Sequence, residues 1–98
     1  MSFIQIVDGT TSRLDEMQAA GDRWAAATEG KRTVRRRILC RDRDRPGHYV
    51  NIVFFDSYES AMINSALPET DALAEELSEL HDGPPTFLNL DVVEEVEG

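Results

Sequence analysis

Residues 33–55, TVRRRILCRDRDRPGHYVNIVFF, decide how the chain is read. Two β-prone runs, residues 32–43 and 48–56, flank the turn-forming Arg45-Pro46-Gly47, which is the pattern of a hairpin. The stretch also packs six arginines into the eleven positions from Arg35 to Arg45. A hairpin in mid-chain, with helical patterns on both sides, limits the topologies to very few.

Working outward, SFIQIVD is short, near-alternating and β-prone, and predicts a strand over residues 2–8. GTTS follows as a turn. Ser12 is placed to cap a helix, with Asp15 three residues on as its capping-box partner. Leu14, Met17, Gly21, Trp24 and Thr28 recur at spacings of three and four, an amphipathic helix that Gly30 ends. After the hairpin, Asp56 or Ser57 caps a second helix, YESAMINSA. Pro68 disfavours helix at Leu67 and suits the first turn of a new one, whose seam is Leu73, Leu77 and Leu80. HDGPP stops that helix, and TFLNLDVVEEV is a last strand leading into a short acidic tail.

The order is β-α-β-β-α(α)-β. Right-handed crossovers then give an antiparallel sheet of order 4-1-3-2 with helices on one face. The expected fold is an α+β ferredoxin-like plait, one domain over residues 1–98.

Strand alternation sorts the side chains into two faces. Ile4, Ile6, Val50, Ile52, Phe54, Leu88, Leu90 and Val92 form a nearly all-aliphatic set, expected against the helices. Phe3, Gln5, Val7, Tyr49, Asn51, Val53, Phe55, Phe87, Asn89, Asp91 and Val93 mix aromatics with amides and are expected on the bare face. The second strand fits if Val34, Ile38 and Cys40 face the helices while Arg35, Arg37, Leu39 and Arg41 face away. A two-residue Pro46-Gly47 loop would reverse that parity. Proline cannot adopt the positive φ that such a loop needs, so a longer loop or a bulge is expected. A bare face carrying so many apolar rings marks an interaction surface. Two copies packed through it would enclose Gln5, Asn51, Asn89 and Arg37 in a pocket.

Ninety-eight residues suffice for one core. The lone Cys40 excludes an intrachain disulfide and fits a reducing compartment. The N-terminus lacks a basic region followed by a long apolar core, and no apolar run approaches the roughly 20 residues that span a bilayer. A cytoplasmic protein without membrane partners is expected.

The net charge is −9, split as +3 through Arg45 and −12 from Pro46 onward. The RNA-recognition motif shares this topology and places aromatics as Phe3, Tyr49 and Phe55 are placed. However, GHYVNIVFF lacks that motif's basic-Gly-aromatic pattern, and nucleic-acid affinity is mainly electrostatic. No nucleic-acid partner is expected. The arginines read instead as an interchain edge. Asp91, Glu94, Glu95 and Glu97 of one chain would oppose Arg35, Arg37, Arg41 and Arg43 of the other, with a solvated edge strand as the plainer alternative.

Single residues carry less. His81, in the last turn before DGPP, reads as a partner of free carbonyls at a helix end, with a ligand or base as the alternative. His48 reads as solvated in the hairpin loop, Trp24 as core, Cys40 as a small buried hydrophobe and Asn64 as a helix-end cap that could also face a pocket. No His, Cys or carboxylate spacing suggests a metal site.

FFDSYESAMINS, and INSALPE leading through HDGPPTFLNLDVV into the last strand, resemble the dimeric α/β-barrel superfamily. Its antibiotic-biosynthesis-monooxygenase-like branch is the nearest in pattern, in particular its small actinobacterial members. The resemblance covers the whole chain and implies a homodimeric α/β barrel with a small-molecule pocket. It extends to a cofactor-independent oxygenase of an aromatic or enolisable ligand. A non-catalytic ligand-binding or regulatory dimer on the same scaffold is the alternative. The implied ligand contacts are Gln5, Arg37, Tyr49, Asn51, Phe55, Asn64, Phe87 and Asn89, with His81 and Asp91 as weak catalytic candidates. The haem-degrading members use an Asn, a Trp and a His. Only His81 resembles one of these positions, so no haem is expected.

Overall fold

The computed structural model describes residues 2–98. The strands are β1 (Phe3–Thr10), β2 (Arg36–Arg41), β3 (His48–Phe55) and β4 (Thr86–Asp91). The helices are α1 (Leu14–Ala27), α2 (Tyr58–Ser65) and α3 (Pro68–Leu80). The strands form one antiparallel sheet in order β2-β3-β1-β4, which is the expected 4-1-3-2 plait. β2 and β4 are its edges. Among the described residues no helix is long and apolar enough to cross a membrane.

Local chemistry sets most boundaries. Ser57 caps α2, its side chain accepting from the Ser60 amide. Pro68 opens α3 in the first turn, where its missing N–H removes no helical bond. α1 departs from expectation: it begins at Leu14, Arg13 holds the cap position, and the Ser12–Asp15 box does not form. Thr11 supplies the hydroxyl instead. Its Oγ1 accepts from the Arg13 amide at 2.9 Å and donates to the Leu80 carbonyl at 2.6 Å. One buried hydroxyl thus ties the start of α1 to the end of α3.

The hairpin closes on a bond from the Asp42 amide to the His48 carbonyl, 2.9 Å, leaving residues 43–47 as the loop. Asp42 Oδ1 accepts the amides of Asp44 and Arg45 at 2.8 and 3.3 Å, and Gly47 takes φ +84°, the left-handed region. This longer loop sets Arg37 opposite Val53, Leu39 opposite Asn51 and Arg41 opposite Tyr49. Arg37, Leu39 and Arg41 therefore share a face with the mixed aromatic and amide set, as grouped from the sequence.

That face is the helix-covered one, the reverse of the expectation. Phe3, Val53 and Phe55 form a buried cluster with Ala61 of α2, joined by Val34. Tyr49 forms a second with Met17 of α1 and Leu80 of α3, joined by Val7, Leu14, Leu39 and Leu77. The aliphatic set, with Ile38 and Cys40, lies on the open face, where Leu88 and Leu90 are 45% and 41% exposed. Aromatic rings bury more area per residue than aliphatic chains, so the aromatic face makes the stronger intrachain core. Cys40 is accordingly half-buried on the open face and not a core residue.

The arginines also differ from expectation. Arg35 pairs within the chain with Asp56, Nη2 to Oδ2 at 2.8 Å. Arg36 lies over the Phe54 ring at 5.3 Å. Arg37 turns inward beneath α1. Arg35 thus has a counter-ion within the chain, and Arg37 sits beneath α1 and not at the open face where the interchain edge was expected.

Candidate functional site

Between the aromatic face of the sheet and the helices lies a cavity of about 510 Å³, within the range of small-molecule sites. The sheet supplies its floor with Gln5, Val7, Arg37, Leu39, Tyr49, Asn51, Val53, Phe55 and Phe87. The roof is Met17, Gly21 and Trp24 of α1 with Leu73, Ala74 and Leu77 of α3, closed at the ends by Asn64 and His81. α1 and α3 each turn one apolar stripe toward the sheet. Gly21 and Ala74 carry too little side chain to fill the gap between them.

Tyr49 and His81 form the polar focus of the wall. Nδ1 of His81 lies 2.7 Å from the Leu77 carbonyl, which can only accept, so Nδ1 carries the ring proton. Nε2 is then the acceptor for the Tyr49 hydroxyl. Burial pushes the Tyr49 pKa up to about 12, with the charge of Asp8 adding to the effect. Tyr49 is therefore a neutral donor at neutral pH. Gly9 makes room for the pair: a Cβ there would stand 3.1 Å from Cδ2 of His81 and 3.2 Å from Cε1 of Tyr49.

The amides are unequally satisfied. Gln5 Nε2 donates to Asn89 Oδ1 at 3.2 Å. Oδ1 of Asn51 and Oδ1 of Asn64 are buried with no hydrogen-bond partner among the described residues. A buried carbonyl left unpaired costs about 1–3 kcal/mol, and a ligand donor would remove that cost. Trp24 is satisfied within the fold: its Nε1–H donates to Thr70 Oγ1 at 3.0 Å, and Arg32 covers its ring.

Solved structures of several proteins share this architecture over nearly their whole length. A mutant of SnoaB, a cofactor-independent oxygenase from Streptomyces nogalater, is 18% identical and superposes with a TM-score of 0.84, covering 99% of this chain and 98% of its own. A candidate antibiotic biosynthesis monooxygenase from Caulobacter crescentus is 16% identical, TM-score 0.82, covering 95% and 91%. Rv0793 from Mycobacterium tuberculosis is 18% identical, TM-score 0.79, covering 99% and 100%. The chain has the fold of these proteins. No family model matches it, and no curated protein matches it in sequence.

On this fold the residues singled out from the sequence divide clearly. Gln5, Arg37, Tyr49, Asn51, Phe55, Asn64, Phe87 and His81 all line the one cavity. Asn89 meets it only through Gln5. Asp91 pairs with Phe3 at the exposed end of β4 and does not line it. Gly9, Gly21 and Thr70 were not singled out as site residues, because their importance lies in what they sit against. His81 does not suit a haem iron, since both its ring nitrogens are already engaged. Among the described residues no His, Cys, Asp and Glu group is arranged to hold a metal.

His48 also departs from its solvated reading. It is buried at the start of β3, with Nδ1 2.6 Å from Asp42 Oδ2 and Nε2 2.5 Å from Asp8 Oδ1. Both ring nitrogens face carboxylates, which favours the charged imidazolium, while the Arg45 guanidinium, Nη2 2.8 Å from Nδ1, opposes it. The hydrogen bond to Asp42, then that to Asp8, raises its pKa. The same bond to His48, with the loop amides, holds Asp42 well below the usual carboxylate range. The fold reaches this ion cluster only by bringing residues 8, 42 and 48 together, so periodicity gives no sign of it.

Proposed function

We propose that the chain is a small-molecule enzyme whose helix-side cavity holds an enolisable aromatic compound and oxidises it with O2 without a cofactor. The single observation that carries this reading is the Tyr49–His81 pair in the wall of an otherwise largely apolar cavity. A proton leaving the activated CH2 of the substrate passes to the Tyr49 oxygen as the Tyr49 proton passes to Nε2 of His81. The imidazolium formed keeps its Nδ1–H on the Leu77 carbonyl, at the negative end of α3. Amide N–H groups of Asn51 and Asn64, and Arg37, are the donors available to the enolate oxygen.

The enolate then supplies the electrons to O2. A carbon–oxygen bond forms at the deprotonated carbon, the peroxide oxygen takes back the proton held on His81 through Tyr49, and the hydroperoxide loses water to give a ketone. One oxygen atom enters the product and the other leaves as water. The likeness to SnoaB, a cofactor-independent oxygenase, supports this reading.

The open aliphatic face, with Ile6, Ile52, Leu88 and Leu90, suits a second copy of the chain packed sheet to sheet. A homodimeric barrel in the cytoplasm is therefore part of the proposal. Oxygen uptake with 9-anthrone as the probe tests the chemistry. One O2 consumed per anthraquinone formed, with no metal or flavin added, is the expected result. Saturable binding of anthrone without uptake above the uncatalysed rate would make this a non-catalytic binding protein.

A further inference from the structure

We infer that the natural ligand of the cavity carries a permanent anion of carboxylate type, received by Arg37 beneath α1; this rests on the reading of the cavity as a ligand site. Among the described residues Arg37 is the only arginine or lysine lining it. Its position on β2 opposite Val53, a core residue, turns the side chain away from solvent and leaves it 28% exposed.

The guanidinium is seated on a glycine. A Cβ on Gly21 would collide with Nη1 and stand 3.1 Å from both Cζ and Nη2. Any larger residue at this position of α1 would displace Arg37 from its seat. Helix interiors disfavour glycine by roughly 0.5–1 kcal/mol relative to alanine, so the position trades helix stability for room.

The seat does not provide a counter-ion. The nearest carboxylate is Oδ1 of the exposed Asp22, 4.0 Å from Nη2, and no hydrogen bond from the guanidinium to a described residue accompanies it. The other paired arginines differ. Arg13, Arg23, Arg35 and Arg45 each hydrogen-bond a carboxylate of this chain. A partly buried cation with its donors unspent and a cavity beside it is matched by a planar anion, which accepts two parallel N–H bonds. A transient enolate can use one of these donors during reaction. A carboxylate would use the fork throughout binding and fix which end of the ligand lies toward α1. The acidic Asp71 also lines the cavity, from the exposed first turn of α3. It opposes an anion placed beside it, so the carboxylate is expected on the guanidinium and away from Asp71.

Two probes of equal size separate charge from shape: naphthalene-2-carboxylate and naphthalene-2-carboxamide, titrated calorimetrically at neutral pH. The wild-type protein is expected to prefer the carboxylate by roughly tenfold or more, the scale of a charged hydrogen-bonded pair. Arg37→Met should abolish the preference, lowering carboxylate affinity far more than carboxamide affinity. Arg37→Lys should restore part of it. Gly21→Ala, which keeps the arginine but removes its seat, should reduce the preference without lowering helix content. Equal wild-type affinity for the two probes, or a preference that survives Arg37→Met, would overturn the anion assignment while leaving the cavity a ligand site. Failure of both probes to bind would overturn the assignment together with that reading.

Discussion

Tyr49 and His81 are joined hydroxyl to Nε2 across the junction of β3 with the end of α3, and Gly9 of β1 lies against both rings. Three separate elements thus meet at one hydrogen-bonded pair. The His81 tautomer is set by the Leu77 carbonyl behind it, so its orientation depends on the helix end and not on solvent.

Removing either partner should act on turnover more than on binding. Tyr49→Phe and His81→Gln are each expected to lower the rate of anthrone oxidation by about 10²–10⁴-fold, the usual contribution of a positioned base. The KM should change far less. Gly9→Ala should have a smaller effect of the same kind, since the rings must shift by only a few tenths of an ångström. Steady-state oxygen uptake on the three variants, beside circular dichroism to verify folding, reads this out.

The His48 cluster predicts a pH-dependent stability with a defined sign. The pKa of His48 is raised by folding above its ordinary 6.5. The folded state therefore holds the proton more tightly, and this stabilisation is complete below the unfolded value and lost as pH rises through the folded one. Asp42 works in the opposite direction: its depressed pKa stabilises above the ordinary 3.8 and fails as pH falls. His48→Gln should lower Tm at about pH 6 and have a progressively smaller effect as pH rises through the raised value of the wild-type residue. Thermal melts of both proteins across that range test it; an effect independent of pH would remove the ion cluster from the account.

Thr11 gives a second stability test. Thr11→Val preserves shape but leaves the Leu80 carbonyl and the Arg13 amide without their partner. The expected cost is about 1–3 kcal/mol in urea unfolding. Ser12→Ala, at the position first expected to cap α1, should cost much less, because no cap bond is made there.

The open sheet face makes a prediction about assembly. Light scattering should give twice the chain mass of 11.0 kDa. Ile52→Asp, at the centre of the aliphatic face, should shift the protein to monomer, because burying an unpaired carboxylate in such an interface is unfavourable. A wild-type monomer would remove the sheet-to-sheet dimer.

The element order and the sheet order were legible in the sequence because they rest on local signals: alternation in the strands, Ser57 and Pro68 at helix starts, Gly47 in the hairpin. The grouping of Arg37 and Leu39 with Asn51 and Val53 was legible as well, once Pro46 excluded a two-residue loop. Which group faces the helices was not. Hydrophobicity alone assigns Ile4, Ile6, Val50 and Ile52 to the core, and the amides among Phe3, Tyr49 and Phe55 appear to belong outside. A face that lines a cavity is necessarily mixed, whereas a face left for another sheet can be uniformly aliphatic. The amides of the site were visible as residue types. Their convergence with His81 depends on the path of α3, and the roles of Gly9 and Gly21 depend on neighbours far away in sequence.

The central claim is that ligands enter between the sheet and the helices, and methyl NMR during titration with naphthalene-2-carboxylate tests it most directly. Met17, Leu39 and Leu77 report the cavity; Ile6, Ile52 and Leu88 report the open face. The account predicts saturable shifts concentrated in Met17, Leu39 and Leu77. Shifts concentrated in Ile6, Ile52 and Leu88 would contradict it and put the binding surface on the opposite side of the sheet.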